Sequence, residues 1–317
     1  MDIVLTGSIA FDYIMRFPGR FRDHILPDHL DRLSLSFLVD SLIRRRGGIA
    51  ANIAFTLGLL GEHPKVMATV GEDFEEYRAW LEAHGVDTSP ILVTPDLLTA
   101  SFFVNTDEVN AQIASFYAGA MARAAQLHFS DLAQRPDLVV ISPNDPQAMV
   151  QYVEECRQAA IPFFYDPSQQ IVRLDAHALR DGITACRALF SNDYEFNMIL
   201  QKTGLDLAEV RRSVPLVVIT CGDAGTDVYS NGDHFPIPAV RPAHLVDPTG
   251  VGDAFRGGFL KGYVHGLPPE TCGRIGALAA TYCLESEGTQ GHRFDLPSFI
   301  ARYRQLFDGQ GDVERLR

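Results

Sequence analysis

The chain has 317 residues, 46% hydrophobic and 21% charged, which suits one large α/β domain with an appendage or two modest domains and argues against extensive disorder. Its formal net charge of −13 sets it against nucleic acid, whose binding is driven by Lys and Arg displacing counterions. No apolar run approaches the ~20 residues of a membrane helix, so no membrane partner is expected.

The chain opens on an apolar run, Ile3–Thr6, that reads as a strand, and no signal peptide is expected. Further strands are expected at Lys65–Val70, Leu138–Ser142, Pro162–Tyr165, Ala188–Ser191 and Leu216–Thr220. Amphipathic spacing predicts helices near 49–60, where Ile53, Leu57 and Leu60 share a face, and over Asp73–His84, Pro146–Ala159 and Asp193–Lys202, with one more near 295–307. Strands alternating with helices predict a mostly parallel central sheet flanked by helices on both faces. Residues 11–45 and 98–117 break the rhythm. They are rich in aromatic and β-branched residues without helical spacing, and read equally well as a small separate sheet over a crevice or as two long surface hairpins. The expected division is a core of 1–10, 46–97 and 121–317 and a small β lid of 11–45 and 98–120, interleaved in the chain. Open lid strands could pair two chains as a homodimer. Five cysteines, Cys156, Cys186, Cys221, Cys272 and Cys283, form no C-x-x-C pair. That pattern suits reduced thiols in a cytoplasm rather than a zinc ribbon.

The strongest chemical signal is Asp247-Pro-Thr-Gly-Val-Gly-Asp253-Ala-Phe255, a turn-rich stretch leading into a helical pattern. Gly250 and Gly252 sit where a helix begins, and glycine lets backbone N–H groups approach a ligand. Unpaired first-turn N–H donors and the helix dipole make such a start an anion site. Asp253 beside a bound phosphate could take the proton of an attacking hydroxyl. Alone it would read as a helix cap. A P-loop is absent from the sequence, and Thr6-Gly7-Ser8-Ile9-Ala10 lacks the dinucleotide-binding glycine pattern.

The whole string, followed by Arg256-Gly257-Gly258, resembles the signature of the ribokinase (phosphofructokinase-B type) kinases. The resemblance implies a ribokinase-like α/β fold with a β lid. It implies that Asp253 is the catalytic base and that Gly250, Val251 and Gly252 form an anion hole for the transferred phosphoryl. Four more segments match in order. Gly7-Ser8-Ile-Ala-Phe-Asp12 implies that Asp12 binds substrate ribose hydroxyls. Arg46-Gly47-Gly48-Ile-Ala-Ala-Asn52 implies that Gly47 and Gly48 lie against the sugar and that Asn52 binds a hydroxyl. Ser191-Asn192-Asp193-Tyr194-Glu195 matches N-x-x-E, which implies Mg²⁺ bound through water near Asn192 and Glu195. Without the resemblance Asn192 is a helix N-cap. Thr220-Cys-Gly222-Asp223-Ala-Gly225 matches the ATP segment T-x-G-x-x-G. Glu285 to Gln290 falls where many members place an adenine wall and a monovalent-cation loop, and Asp247 is a candidate ligand for K⁺.

Segments 33–40, 111–121, 144–149, 166–170 and 285–290 are similar to the actinobacterial type of adenosine kinase, which implies adenosine as the substrate. A flat base needs an aromatic slot, which Phe102 and Phe116 could form. Gln169 and Gln170 could bond base or ribose, and Ser8 and Ser36 ribose hydroxyls. Each Phe could equally be lid packing, and the Gln pair a solvated loop. A free-sugar kinase and a non-catalytic nucleoside sensor are the alternatives to adenosine phosphorylation.

Overall fold

The structure is a computed structural model describing residues 1–25, 31–32, 34–307 and 313–317. Its strands in chain order are β1 (Ile3–Thr6), β2 (Ala10–Arg16), β3 (Ser41–Gly47), β4 (Lys65–Met67), β5 (Thr69–Val70), β6 (Leu92–Val93), β7 (Ala100–Thr106), β8 (Gln112–Tyr117), β9 (Leu138–Ile141), β10 (Phe163–Tyr165), β11 (Ala188–Asn192), β12 (Leu216–Thr220), β13 (Thr226–Ser230) and β14 (Asp233–Ile237). The helices are α1 (Ile49–Leu59), α2 (Glu75–Ala83), α3 (Pro146–Gln158), α4 (Ala176–Ala185), α5 (Asp193–Thr203), α6 (Leu207–Ser213), α7 (Val251–Val264), α8 (Pro269–Leu284) and α9 (Leu296–Leu306).

Eight strands form the main sheet in the order β14-β13-β12-β11-β10-β9-β1-β4. All neighbours from β4 to β12 run parallel, and β13 and β14 close one edge antiparallel. Because side chains alternate across a strand, one apolar run feeds two cores. Ile3 and Leu5 join Val140, Phe164 and Val218 on the face covered by α1, α7 and α8. Val4 joins Val139, Phe163 and Val217 on the face covered by α3, α4 and α5.

The expected run Lys65–Val70 does not hold as one strand. It breaks at Ala68, so that β4 stays in the main sheet while β5 pairs with β6. The two aromatic-rich segments form one small sheet, β3-β2-β7-β8. Two antiparallel hairpin pairs, β2 with β3 and β7 with β8, are joined by the parallel pairing of β2 with β7. Of segment 33–40, Leu33 lies outside the described residues, and 34–40 carry no strand; the lid strand starts at Ser41 and runs through Arg46 and Gly47, past the expected boundary at 45.

Candidate active site

A cavity of about 1030 Å³ opens where the carboxyl ends of the parallel strands meet the small sheet. In open α/β sheets ligands bind at this edge. The register of the lid decides what faces it. Arg45 pairs with Asp12, Asp12 with Phe102, and Phe102 with Phe116, so one row crosses all four strands. Directly paired residues point to the same face, and Asp12, Phe102 and Phe116 all line the cavity.

The floor is the start of α7. Gly250 is its N-cap with φ +78°, a left-handed conformation open to glycine, and an added Cβ would lie 2.8 Å from Thr289. The amides of Val251, Gly252 and Asp253 fall in the first turn, where no helical acceptor exists for them. Asp253 is half-buried, and its Oδ2 accepts a hydrogen bond from Asn52 Nδ2 at 2.8 Å. Burial raises its pKa, against the opposing pull of Arg256 and the Asn52 bond.

Asn52 is held in turn. Its Oδ1 accepts from Gln290 Nε2 at 3.0 Å; Gln290 Nε2 also donates to Tyr77 Oη, and Gln290 Oε1 accepts from Trp80 Nε1 at 3.0 Å. Tyr77 Oη donates to Gly47 O at 2.8 Å. A buried chain of bonds thus runs from the end of lid strand β3 to the Asp253 carboxylate. Gly48 turns the chain from β3 into α1 with φ +95°, and a Cβ there would lie 2.5 Å from Ser8 O. Ser8 Oγ accepts from Ile49 N at 3.1 Å, completing the helix start that a glycine N-cap leaves open.

At another wall of the cavity, Asn192 caps α5 in a reciprocal box with Glu195, as its residue type alone suggested. Glu195 Oε1 also accepts from Ser168 Oγ at 2.7 Å. Ser168 itself sits at φ +35°, a strained conformation for a residue with a Cβ. Thr220, Gly222 and Gly225 line the cavity beside Ala277, Ala280 and Leu284 of α8.

Of the expected site residues, Ser8, Asp12, Gly48, Asn52, Phe102, Phe116, Gln169, Gln170, Asn192, Glu195, Thr220, Gly222, Gly225 and Gly250 to Asp253 all line this one cavity. Gln169 is exposed at its rim, whereas Gln170 is buried with Oε1 unpartnered among the described residues. Ser36 and Asp223 are exposed and lie off the cavity lining. Gly47 is behind the lining; a Cβ on it would lie 2.6 Å from Asp12 Oδ2, so it keeps that carboxylate's place free.

This geometry coincides with a known sequence family, since the model for "pfkB family carbohydrate kinase" matches residues 8–294. The chain belongs to the pfkB family of carbohydrate kinases. It is 31% identical over 306 residues to a nucleoside kinase of Methanothermobacter thermautotrophicus, covering 95% of each chain. A Burkholderia thailandensis nucleoside kinase in complex with inosine superposes with a TM-score of 0.87 at 36% identity, covering 98% of this chain and 99% of that one. A Methanocaldococcus jannaschii nucleoside kinase, an archaeal member of the ribokinase family, gives 0.83 at 26% identity over 96% of this chain and 99% of that one. The pfkB chain is therefore an ATP-dependent phosphotransferase with an alcohol acceptor.

Two buried charges of this pfkB kinase carried no assigned role in the sequence reading. Arg256 lies one turn after Asp253 on the cavity side of α7, and its Nη2 donates to Asp166 Oδ1 at 2.9 Å. Asp166 ends β10 and is 1% exposed. Its pKa is raised by burial, which the Arg256 charge opposes. A charged residue among the apolar and glycine positions of α7 was the available signal, because a buried Arg requires an acid.

Asp247 departs from expectation. Its Oδ1 accepts from Thr249 N at 2.9 Å, while Oδ2 accepts from Gly288 N at 3.0 Å and from Arg45 Nη1 at 2.7 Å. A guanidinium occupies the carboxylate expected to hold K⁺, so these residues do not fit that ion.

Proposed function

We propose that this pfkB kinase phosphorylates the 5′-hydroxyl of a purine nucleoside, with adenosine the acceptor that the sequence favours. The supporting observation is the row Asp12–Phe102–Phe116. It sets a carboxylate for two vicinal hydroxyls beside two aromatic rings for a flat base. The relative bound to inosine adds a second purine nucleoside to test. Gln170, buried with an amide oxygen unpartnered among the described residues, suits a donor on the base or ribose. A free sugar is the second reading, since Asp12 and Asn52 serve any vicinal diol.

In the proposed reaction the ribose is held by Asp12, Gly48 and Asn52, with the lid excluding water. Asp253 removes the 5′-hydroxyl proton as O5′ attacks the γ-phosphorus. The bond from phosphorus to the bridging oxygen breaks, and ADP departs with that electron pair. The Gly250–Gly252 amides and the Arg256 guanidinium face the charge on the moving phosphoryl group. Asn192 and Glu195 would hold Mg²⁺ through water, since that ion prefers oxygen ligands and keeps waters while their own oxygens cap α5 and meet Ser168. When bound, that ion neutralises phosphate charge.

Replacing Phe102 with Ala separates the acceptors. Losing one stacked base costs about 1–3 kcal/mol, so KM for a nucleoside should rise on the order of 10–100-fold. KM for a free sugar should barely move. An ADP-release assay over adenosine, inosine, other nucleosides and free sugars reads both results; an unchanged nucleoside KM would count against the stacked base.

Asp12 gives a pH signature. Burial pushes its pKa up to about 6; Arg45 pulls it down and Asp253 pushes it further up. Only the ionised carboxylate accepts from two hydroxyls, so acceptor KM should be flat above pH 6 and climb as pH falls below it. Asp12→Asn should give a high KM with no such inflection. An acid limb that survives in this variant would assign the titration elsewhere.

The five cysteines are all unpaired, which supports a reducing cytoplasm. Among the described residues no helix is long and apolar enough to cross a membrane. Edge strand β8 is exposed at each of its six residues, which supports pairing of two lids in a homodimer. A single-chain mass by sedimentation would rule this pairing out.

A further inference from the structure

Three arginines, Arg44, Arg45 and Arg46, follow one another in β3, and strand alternation turns only the middle one inward. Arg44 and Arg46 reach Glu76 on the outer side. Arg45 reaches across to the turn that precedes the anion hole, where Nη1 binds Asp247 at 2.7 Å and Nη2 lies 3.2 Å from Glu287. Both members of the Arg45–Asp247 pair are mostly shielded, with side chains 23% and 19% exposed. The turn at Gly288 is shaped around the guanidinium. It has φ +70°, and a Cβ there would sit 3.1 Å from Arg45 Cδ.

Asp247 shapes the approach to Gly250 by accepting from Thr249 N and Gly288 N. Burial works against its charge, yet those bonds and Arg45 hold the carboxyl below the usual range, so it is ionised. An ionised carboxylate three residues before a phosphate-binding mouth repels the phosphate unless a cation stands beside it.

We propose that the Arg45 guanidinium is the built-in cation of the anion hole, holding Asp247 and neutralising it where a dissolved monovalent ion would otherwise be needed, so that this kinase works without K⁺. The proposal rests on Gly250–Gly252 being the phosphate mouth. A tethered cation has no dissociation equilibrium, so its effect is independent of salt composition. It also arrives on a lid strand, which ties the charge balance of the core turn to the position of the lid.

The test measures turnover and, separately, calorimetric binding of an ATP analogue with a non-hydrolysable β–γ bridge. Both are run in tetramethylammonium buffer and again with KCl replacing it at equal ionic strength. The wild type should change by less than about twofold between the two, since the charge-assisted Arg45 pair is already in place. Arg45→Ala should lose about tenfold or more in analogue affinity and turnover, the scale of one such bond, and recover much of it with K⁺ or guanidinium ion. Arg45→Lys should keep intermediate activity without K⁺. Activation of the wild type by K⁺ on the order of tenfold would overturn the proposal, as would an Arg45→Ala protein that matches the wild type in K⁺-free buffer or whose loss no cation repairs. Wild-type protein that binds no analogue in either buffer would sink the kinase reading first, and this proposal with it.

Discussion

Asp253→Asn should lower kcat by about 10²–10⁴-fold while leaving the protein folded, because general-base assistance has that range and the amide is nearly isosteric. The carboxylate sits in the first turn of α7, half-buried at the cavity floor, with Asn52 Nδ2 holding one oxygen. Its pKa is raised by burial, which strengthens it as a base but protonates it earlier as pH falls. Wild-type kcat should therefore drop on the acid side, and the residual rate of the variant should lack that limb. The sign for stability runs the other way. A carboxyl whose folded pKa exceeds its unfolded value contributes stability at low pH and loses it as pH rises through the folded value. At neutral pH the buried charge is a cost, so the Asn variant should melt no lower than the wild type. Single-turnover rates and thermal melts across pH read both effects. An Asn variant with near-normal turnover would exclude Asp253 as the base.

The second large effect is on stability. Arg256→Met leaves Asp166 as an uncompensated buried charge, and removing one member of such a pair costs about 3–5 kcal/mol. In a chain of this size that is a fall in Tm of about 5–8 °C. The double variant Asp166→Leu with Arg256→Met removes both charges and should regain most of the lost Tm, since apolar replacement of a buried pair is often neutral. Its activity should not return, because Arg256 also lines the cavity beside Asp253. A double variant that recovers turnover along with Tm would reduce Arg256 to a structural strut.

The parallel sheet was legible because its strands are buried on both faces and read as unbroken apolar runs. Helix α8 was not, since its Ala, Gly, Cys and Thr positions are buried nearly all round and leave no polar stripe to mark a period. Gly258 and Gly276 let it close on α7: a Cβ on Gly258 would lie 2.8 Å from Ala279 Cβ. The hairpin of β13 and β14 did have a signal, Asn231-Gly232, whose φ values of +51° and +93° suit the tight turn that this dipeptide favours. Cavity-lining residues carried by a local string were readable. Tyr77 and Gln290 meet across 213 positions, and no local pattern announces that bond. The inward turn of Arg45 was hidden for another reason: alternation fixes which of three arginines faces in only once the register of β3 on β2 is known.

Among the described residues, the small sheet has almost no hydrophobic interior of its own where it covers the cavity. Ala10, Ala100 and Met121 make up its buried cluster there, with Ala118 beside them. Three such small contacts supply little of the burial that holds a sheet in place. A base bound against Phe102 and Phe116, as proposed above, would complete that interior, so that the acceptor would act as part of the fold it enters. Occupancy by substrate and the order of this flap are then one thermodynamic quantity, and resistance of residues 98–117 to proteolysis becomes a direct gauge of acceptor affinity.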